Sequence, residues 1–261
     1  PGFGSVQPSE FMKLGMPMVC AWYLSRKELP PSIATVLTTL AIIAVPVMLI
    51  AKEPDLGTSI LVAAGGMFVL FLSGLPWWMI GGAIAVFIPF VWGLWNFYMH
   101  DYQKTRVMTM FDPEADALGA GWNIIQSKTA IGSGGLTGKG YLEGTQSHLH
   151  FLPEGHTDFA IAAFSEEFGL AGVGLLLFFY LCLLARSFYI AIVNPDTYCR
   201  LLAGALTMSF FVYIFVNMGM VSGILPVVGV PLPFISYGGT AVITLMASFG
   251  LLTCVHTHTK Q

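Results

Sequence analysis

Charged side chains are scarce in this sequence. Of its 261 residues 11 are Lys or Arg and 14 are Asp or Glu, 10% in all, where a soluble domain carries about a quarter. That shortage excludes an ordinary water-exposed surface, and with a net charge of −3 no nucleic-acid partner is expected. Cysteine is rarer still. Cys20, Cys182, Cys199 and Cys254 lie in or beside apolar stretches, without the paired spacing of a metal site, and read as small apolar fillers. No P-loop, dinucleotide fingerprint or internal repeat is present.

What is abundant is apolar sequence. Hydrophobic residues make up 56% of the chain and the mean hydropathy is +0.76. Several runs reach the length of about 18 residues or more that a helix needs to cross a hydrocarbon core of roughly 30 Å. Barrels need short alternating segments instead, so the spans are helices. The fold class is all-α, a polytopic transmembrane helix bundle, expected as one integral membrane domain over 1–261. Seven spans are predicted, over 8–24, 33–51, 58–75, 77–98, 159–189, 201–221 and 232–255. The fifth is too long for an untilted crossing, so it begins outside the bilayer or tilts, and its Gly169 and Gly172-Val173-Gly174 allow close helix contact.

Short loops rich in Lys and Arg face the cytoplasm. Arg26 with Lys27, Arg186 with Arg200, and Lys260 mark three such faces, which puts the chain start, the 52–55 turn, the segment of about 99–158 and the 223–231 loop on the outer side. Lys104, Arg106, Lys128 and Lys139 run against that count, but they sit in a long segment, which weighs less in the rule, and its seven carboxylates offset them. The active face is therefore expected to be extracytoplasmic.

The long outer segment shows no strong strand or helix pattern, and such loops are usually functional. Within it the run Ile131–Gly140 is rich in glycine and carries Lys139. It reads either as flexible connection or as a backbone cradle for phosphate with Lys139 as its cation. Other polar groups lie where ionisable residues are expensive. Glu10 and Lys13 stand three apart on one helix face, after Pro8 at a helix start and Ser9 as a plausible cap; they read either as an internal ion pair or as substrate contacts. Asp55 reads as the cap of the next helix. The Pro- and Gly-rich stretch 221–239 predicts broken helix, which must be buried in protein or line a wet cavity.

The most informative run is 151–159, where Glu154, His156 and Asp158 crowd the mouth of an apolar helix. An Asp in that place is often only a helix cap. Position alone favours the cap; against it, like charges beside an apolar entrance push a carboxylate towards the range useful to a general base, so Asp158 is also read as a proton acceptor. Glu166 and Glu167 come later in the same span, and a Lys or Arg from another helix is the expected partner of the one facing inward.

Eight motifs in order are similar to the SEDS family (shape, elongation, division and sporulation), most closely to its branch in Gram-negative rods. They are Gln7-Pro8-Ser9-Glu10 with Lys13, Pro54–Ser59, Asp112-Pro113-Glu114, Gly119–Trp122, Gln126-Ser127-Lys128, Gly132–Gly135, Phe151–Glu154 with His156–Phe159, and Gly229–Pro233 with Ser236–Gly239. The resemblance covers nearly the whole chain. It implies a ten-helix fold of which this chain would hold the last seven, and a peptidoglycan glycosyltransferase that polymerises lipid II at the outer face of the inner membrane. It places the essential aspartate on Asp158 and the helix-borne acid and base on Glu10 and Lys13. Lys128, Lys139, Glu154 and His156 complete the expected substrate-binding set. The chain departs from the family at Gly4-Ser5-Val6, where a basic residue is common, and at Ala160, where a larger apolar residue is common.

The implied partners are lipid II, membrane lipid and a class B penicillin-binding protein, a transpeptidase. No sequence motif binds a cofactor; the pyrophosphate of the substrate would recruit Mg²⁺ or Mn²⁺ with few protein ligands. A lipid II flippase is the alternative, and inverted repeats or paired broken helices would be its trace. A seven-helix receptor is disfavoured by the order of the motifs.

Overall fold

Chain buried in hydrocarbon must satisfy its own backbone groups, and helices do so within one segment. The computed structural model describes residues 7–53, 55–116, 121–145 and 155–258. Among them all regular structure is helical: α1 (Pro8–Ser25), α2 (Ile33–Ala51), α3 (Leu56–Leu72), α4 (Trp77–Gly93), α5 (Asp101–Phe111), α6 (Trp122–Gly134), α7 (Ala160–Val193), α8 (Thr197–Val221) and α9 (Gly239–His258). A π-helical turn, Leu94–Tyr98, prolongs α4. Five segments are long and apolar enough to cross a membrane: Ile33–Ala51, Trp77–Phe97, Ala160–Val193, Thr197–Val221 and Gly239–Thr257. The protein is a multi-pass membrane protein. It divides into two compact units, one of Pro1–Gly74, Leu175–Phe215 and Gly229–Gln261, the other of Leu75–Gly174 and Val216–Val228.

In the first unit α1 packs against α2, α3 and α9. Its Met16, Cys20 and Leu24 recur every four residues, share one face and are buried. Asp55 caps α3, its Oδ1 accepting from Thr58 N at 3.0 Å, while Oδ2 accepts from Gln7 Nε2 at 2.8 Å. Ser9, expected to cap α1, instead lies inside it: Gln7 stands at the cap position, Pro8 opens the helix and the Ser9 side chain is buried. The last helix begins at Gly239 rather than 232: Leu232, which precedes Pro233, is disfavoured from helical backbone, and Phe234 holds φ +63°, outside it. The irregular stretch before it is held by protein. Tyr180 donates to Pro233 O at 2.6 Å and Ser236 Oγ accepts from Leu232 N at 2.8 Å.

The second unit corrects the expectation of an unpatterned outer segment, since α5 and α6 lie within it. The buried positions of α6 are Ile124, Ser127, Ala130 and Gly134. Small and polar residues fill that stripe, so hydropathy does not reveal it. Helix α7 is broken at Gly169 (φ 64°, ψ −165°). An intact helix would bond Leu170 N to Glu166 O and Ala171 N to Glu167 O. Here all four groups turn to the 135–140 loop: Leu170 N donates to Gly135 O (2.9 Å), Ala171 N to Leu136 O (3.0 Å), Lys139 N to Glu166 O (3.0 Å) and Gly140 N to Glu167 O (3.1 Å).

Candidate functional site

In the first unit the polar centre is built on α1. Lys13 Nζ donates to Glu10 Oε1 at 2.5 Å, and both residues are buried. The pair is thus internal, as one of its two readings has it. It is not sealed off. Thr244 Oγ1 of α9 lies 3.5 Å from Glu10 Oε2, and the Tyr213 ring of α8 lies 5.3 Å from Lys13 Nζ. Lys13 also lines a cavity of about 20 Å³ with Ser209, Tyr213, Thr244 and Ser248, room for about one water. The Ser209 hydroxyl is buried and has no partner among the described residues.

In the second unit Asp158 stands at the end of a turn two residues ahead of α7, half-buried, with His156 exposed and Gly155 buried before it. From α8, the buried side chain of Asn217 donates through Nδ2 to the main-chain carbonyl of Asp158 at 2.8 Å. Glu154 lies outside the described residues. Lys128, on α6, is exposed; its aliphatic stem lies over Gly223, where an added Cβ would fall 2.6 Å from Lys128 Cε. The same helix is tied down by Ser127 Oγ, which donates to Val221 O at 2.9 Å.

Lys139 is engaged elsewhere. Its ammonium donates to Glu166 Oε1 at 2.6 Å and to Thr145 Oγ1 at 2.9 Å. Glu166 is fully buried and faces inward, as expected of one of the two carboxylates, but its cation comes from the loop rather than from another helix. The glycines around Lys139 answer to close backbone approach. A Cβ on Gly138 would lie 2.0 Å from Glu167 O, and one on Gly134 2.0 Å from Ser165 O. The loop therefore completes α7 across its break.

Alongside the start of α7 runs a groove of about 370 Å³, lined by Ile131, Ile161, Leu170, Val173, Met218 and Val221 among others. Its apolar walls suit a hydrocarbon chain. Sequence reasoning passed over Asn217, Thr145 and Thr244. They carry no charge, yet an Asn in an apolar span is itself a signal, because an amide at that depth must find a partner.

The FtsW/RodA/SpoVE family model, described as a cell cycle protein, matches residues 2–261. The "Peptidoglycan glycosyltransferase MrdB" of Escherichia coli (strain K12) is 55% identical over 260 residues, which is 100% of this chain and 70% of that protein. The "Probable peptidoglycan glycosyltransferase FtsW" of Trichlorobacter lovleyi is 36% identical over 255 residues, 97% of this chain and 66% of that one. Among solved structures, a chain from a study of "structural coordination of polymerization and crosslinking by a peptidoglycan synthase complex" superposes with a TM-score of 0.84 at 30% identity, covering 100% of this chain and 72% of that one. The rod shape determining protein RodA of Thermus thermophilus does so with a TM-score of 0.62 at 26% identity, over 98% and 67%.

Proposed function

The chain belongs to the FtsW/RodA/SpoVE family, and on that footing we propose that it is a peptidoglycan glycosyltransferase polymerising lipid II during cell elongation. The observation that carries the site is the placement of Asp158, a half-buried carboxylate at the mouth of an apolar helix whose main-chain carbonyl is held by Asn217. In the reaction the 4-hydroxyl of one lipid-linked disaccharide attacks the anomeric carbon of another chain's terminal sugar. The new glycosidic C–O bond forms as the bond to the polyprenyl pyrophosphate breaks, with inversion. Asp158 takes the hydroxyl proton and the pyrophosphate leaves with the bonding electrons.

The leaving group needs positive charge. Lys128 is exposed and suited to that role, and Glu10 and Lys13 are the polar pair of the first unit that would meet substrate. The groove beside α7 suits the polyprenyl tail, which stays in hydrocarbon while the sugars reach the extracytoplasmic face. Among the described residues no three His, Cys, Asp or Glu side chains meet to hold a metal ion; a Mg²⁺ or Mn²⁺ would come with the pyrophosphate of the substrate and need few protein ligands. The solved neighbour from a complex of polymerization and crosslinking supports a class B penicillin-binding protein as partner.

The test is lipid II polymerisation by the purified protein with that partner, comparing wild type with Asp158→Ala at matched folded levels. Abolished polymer with retained lipid II binding is expected. Undiminished polymer would remove Asp158 from the chemistry, and lipid II transport without polymer would favour a flippase.

A further inference from the structure

The polar centre of the first unit has donors to spare. An ammonium carries three N–H groups. Among the described residues that of Lys13 makes a single hydrogen bond, to Glu10 Oε1, and stands 5.3 Å from the centre of the Tyr213 ring. Those two contacts occupy at most two of its N–H groups. Lys13 is buried, and a charged donor left unmet away from water is costly. The Ser209 hydroxyl, on α8, is buried too and has no partner among the described residues.

Lys13 and Ser209 line one cavity of about 20 Å³, and an ordered water needs about 10–15 Å³ and two to four polar partners. Acceptors line it as well. Thr244 Oγ1 donates to Ala241 O at 2.9 Å and Ser248 Oγ donates to Thr244 O at 2.9 Å. Both oxygens have thus committed their protons to the helix and keep lone pairs for the cavity. Glu10 balances the charge of Lys13, so the site as a whole is neutral. A neutral site with N–H and O–H donors and hydroxyl acceptors suits a ligand that both accepts and donates. Water does both. A halide only accepts, and a metal cation would sit beside an ammonium that repels it.

We propose that this cavity binds one ordered water molecule, which accepts from the Lys13 ammonium and the Ser209 hydroxyl and donates to Thr244 Oγ1 and Ser248 Oγ. The water links α1 to α8 and α9 and completes the bonding of Lys13 without a second carboxylate. Ser209 acts on Lys13 through it. The site concerns bonding inside the first unit and is independent of the reaction proposed above.

The experiment uses the full chain in lipid nanodiscs and reads side-chain oxidation by mass spectrometry after X-ray pulses, which make hydroxyl radicals from bound and bulk water alike. A radical scavenger in the buffer removes those made in bulk. Tyr213 and Tyr180 are matched probes, 4% and 3% exposed; Tyr213 lines the cavity and Tyr180 does not. With scavenger present, Tyr213 is expected to oxidise at least about fivefold faster than Tyr180, because a bound water lies beside its ring. Equally slow oxidation of the two would mean a dry cavity and overturn the proposal. A fast Tyr213 rate that the scavenger abolishes would overturn it too, since bulk solvent rather than one bound water would be reaching the ring. Ser209→Val removes the hydroxyl and fills the space, and should bring the Tyr213 rate down to that of Tyr180 while the Tyr180 rate stays as in wild type. An unaltered Tyr213 rate in Ser209→Val would overturn the place of Ser209 in the site. Should that variant fail to fold, the comparison of the two tyrosines in wild type still decides whether the water is bound.

Discussion

The side chain of Asn217 donates to the main-chain carbonyl of Asp158 across 59 positions of sequence, at 2.8 Å and out of contact with solvent. A residue of α8 thereby fixes the backbone that carries the proposed base. Asn217→Leu preserves bulk but removes the donor to that carbonyl, a loss of about 1 kcal/mol. The expected outcome is a lower unfolding midpoint in detergent together with a fall of about tenfold in polymerisation kcat, with KM for lipid II moving less than about twofold. A variant that loses stability but keeps wild-type kcat would restrict Asn217 to folding.

Glu10 and Lys13 offer a cleaner separation of structure from function. Removing one partner of a buried ion pair leaves an uncompensated charge and costs about 3–5 kcal/mol, whereas replacing both with apolar residues is often neutral. Glu10→Ala and Lys13→Ala should therefore express poorly or melt early. The double variant Glu10→Leu with Lys13→Met should fold like the parent and yet lose at least about tenfold in polymerisation if the pair touches substrate. Thermal unfolding and glycan yield on the same preparation decide it; a folded double variant with full yield would return the pair to the internal reading.

The helices were legible because long apolar runs leave little else for the chain to do, and Asp55 was legible because a cap acts through its own neighbours, here Thr58 N. Ser9 misled for the same local reason, since Pro8 starts the helix two positions earlier than a Ser9 cap allows. The helix α6 escaped because its buried face is Ile124, Ser127, Ala130 and Gly134, whose spacing is helical but whose polarity is mixed. The pairing of Glu166 with Lys139 spans 27 positions and arises from the break at Gly169, a tertiary event that no window of local sequence contains. The Asn217 contact is longer still. Residues at the site were found by their chemistry; what holds them was set by contacts distant in sequence.

The glycines of the 131–140 run divide sharply. Gly138 has φ +78° and its added Cβ would meet Glu167 O at 2.0 Å, while an added Cβ on Gly132 would meet nothing within 4 Å. Gly138→Ala sets a side chain into backbone and should cost about 1–3 kcal/mol or more through strain alone. Gly132→Ala, inside α6, should be neutral or stabilise by about 0.5–1 kcal/mol. Unfolding midpoints check both.

Lys128 supplies the sharpest test of the leaving-group chemistry. The end of its side chain lies over Gly223 and the residue is exposed, so Lys128→Met removes the charge and keeps the packing. A cation that acts on charge developing as the pyrophosphate departs lowers the barrier more than it tightens binding, and its loss should reduce kcat by about 10- to 1,000-fold with a far smaller change in KM. Lys128→Arg should restore most of the rate, because the guanidinium reaches the same phosphate oxygens with more donors. Equal losses in lipid II affinity and in kcat/KM, with kcat unchanged, would instead make Lys128 a contact for the bound substrate. Wild-type kinetics in Lys128→Met would assign the neutralising charge to another group, and Lys13 would be the next to replace.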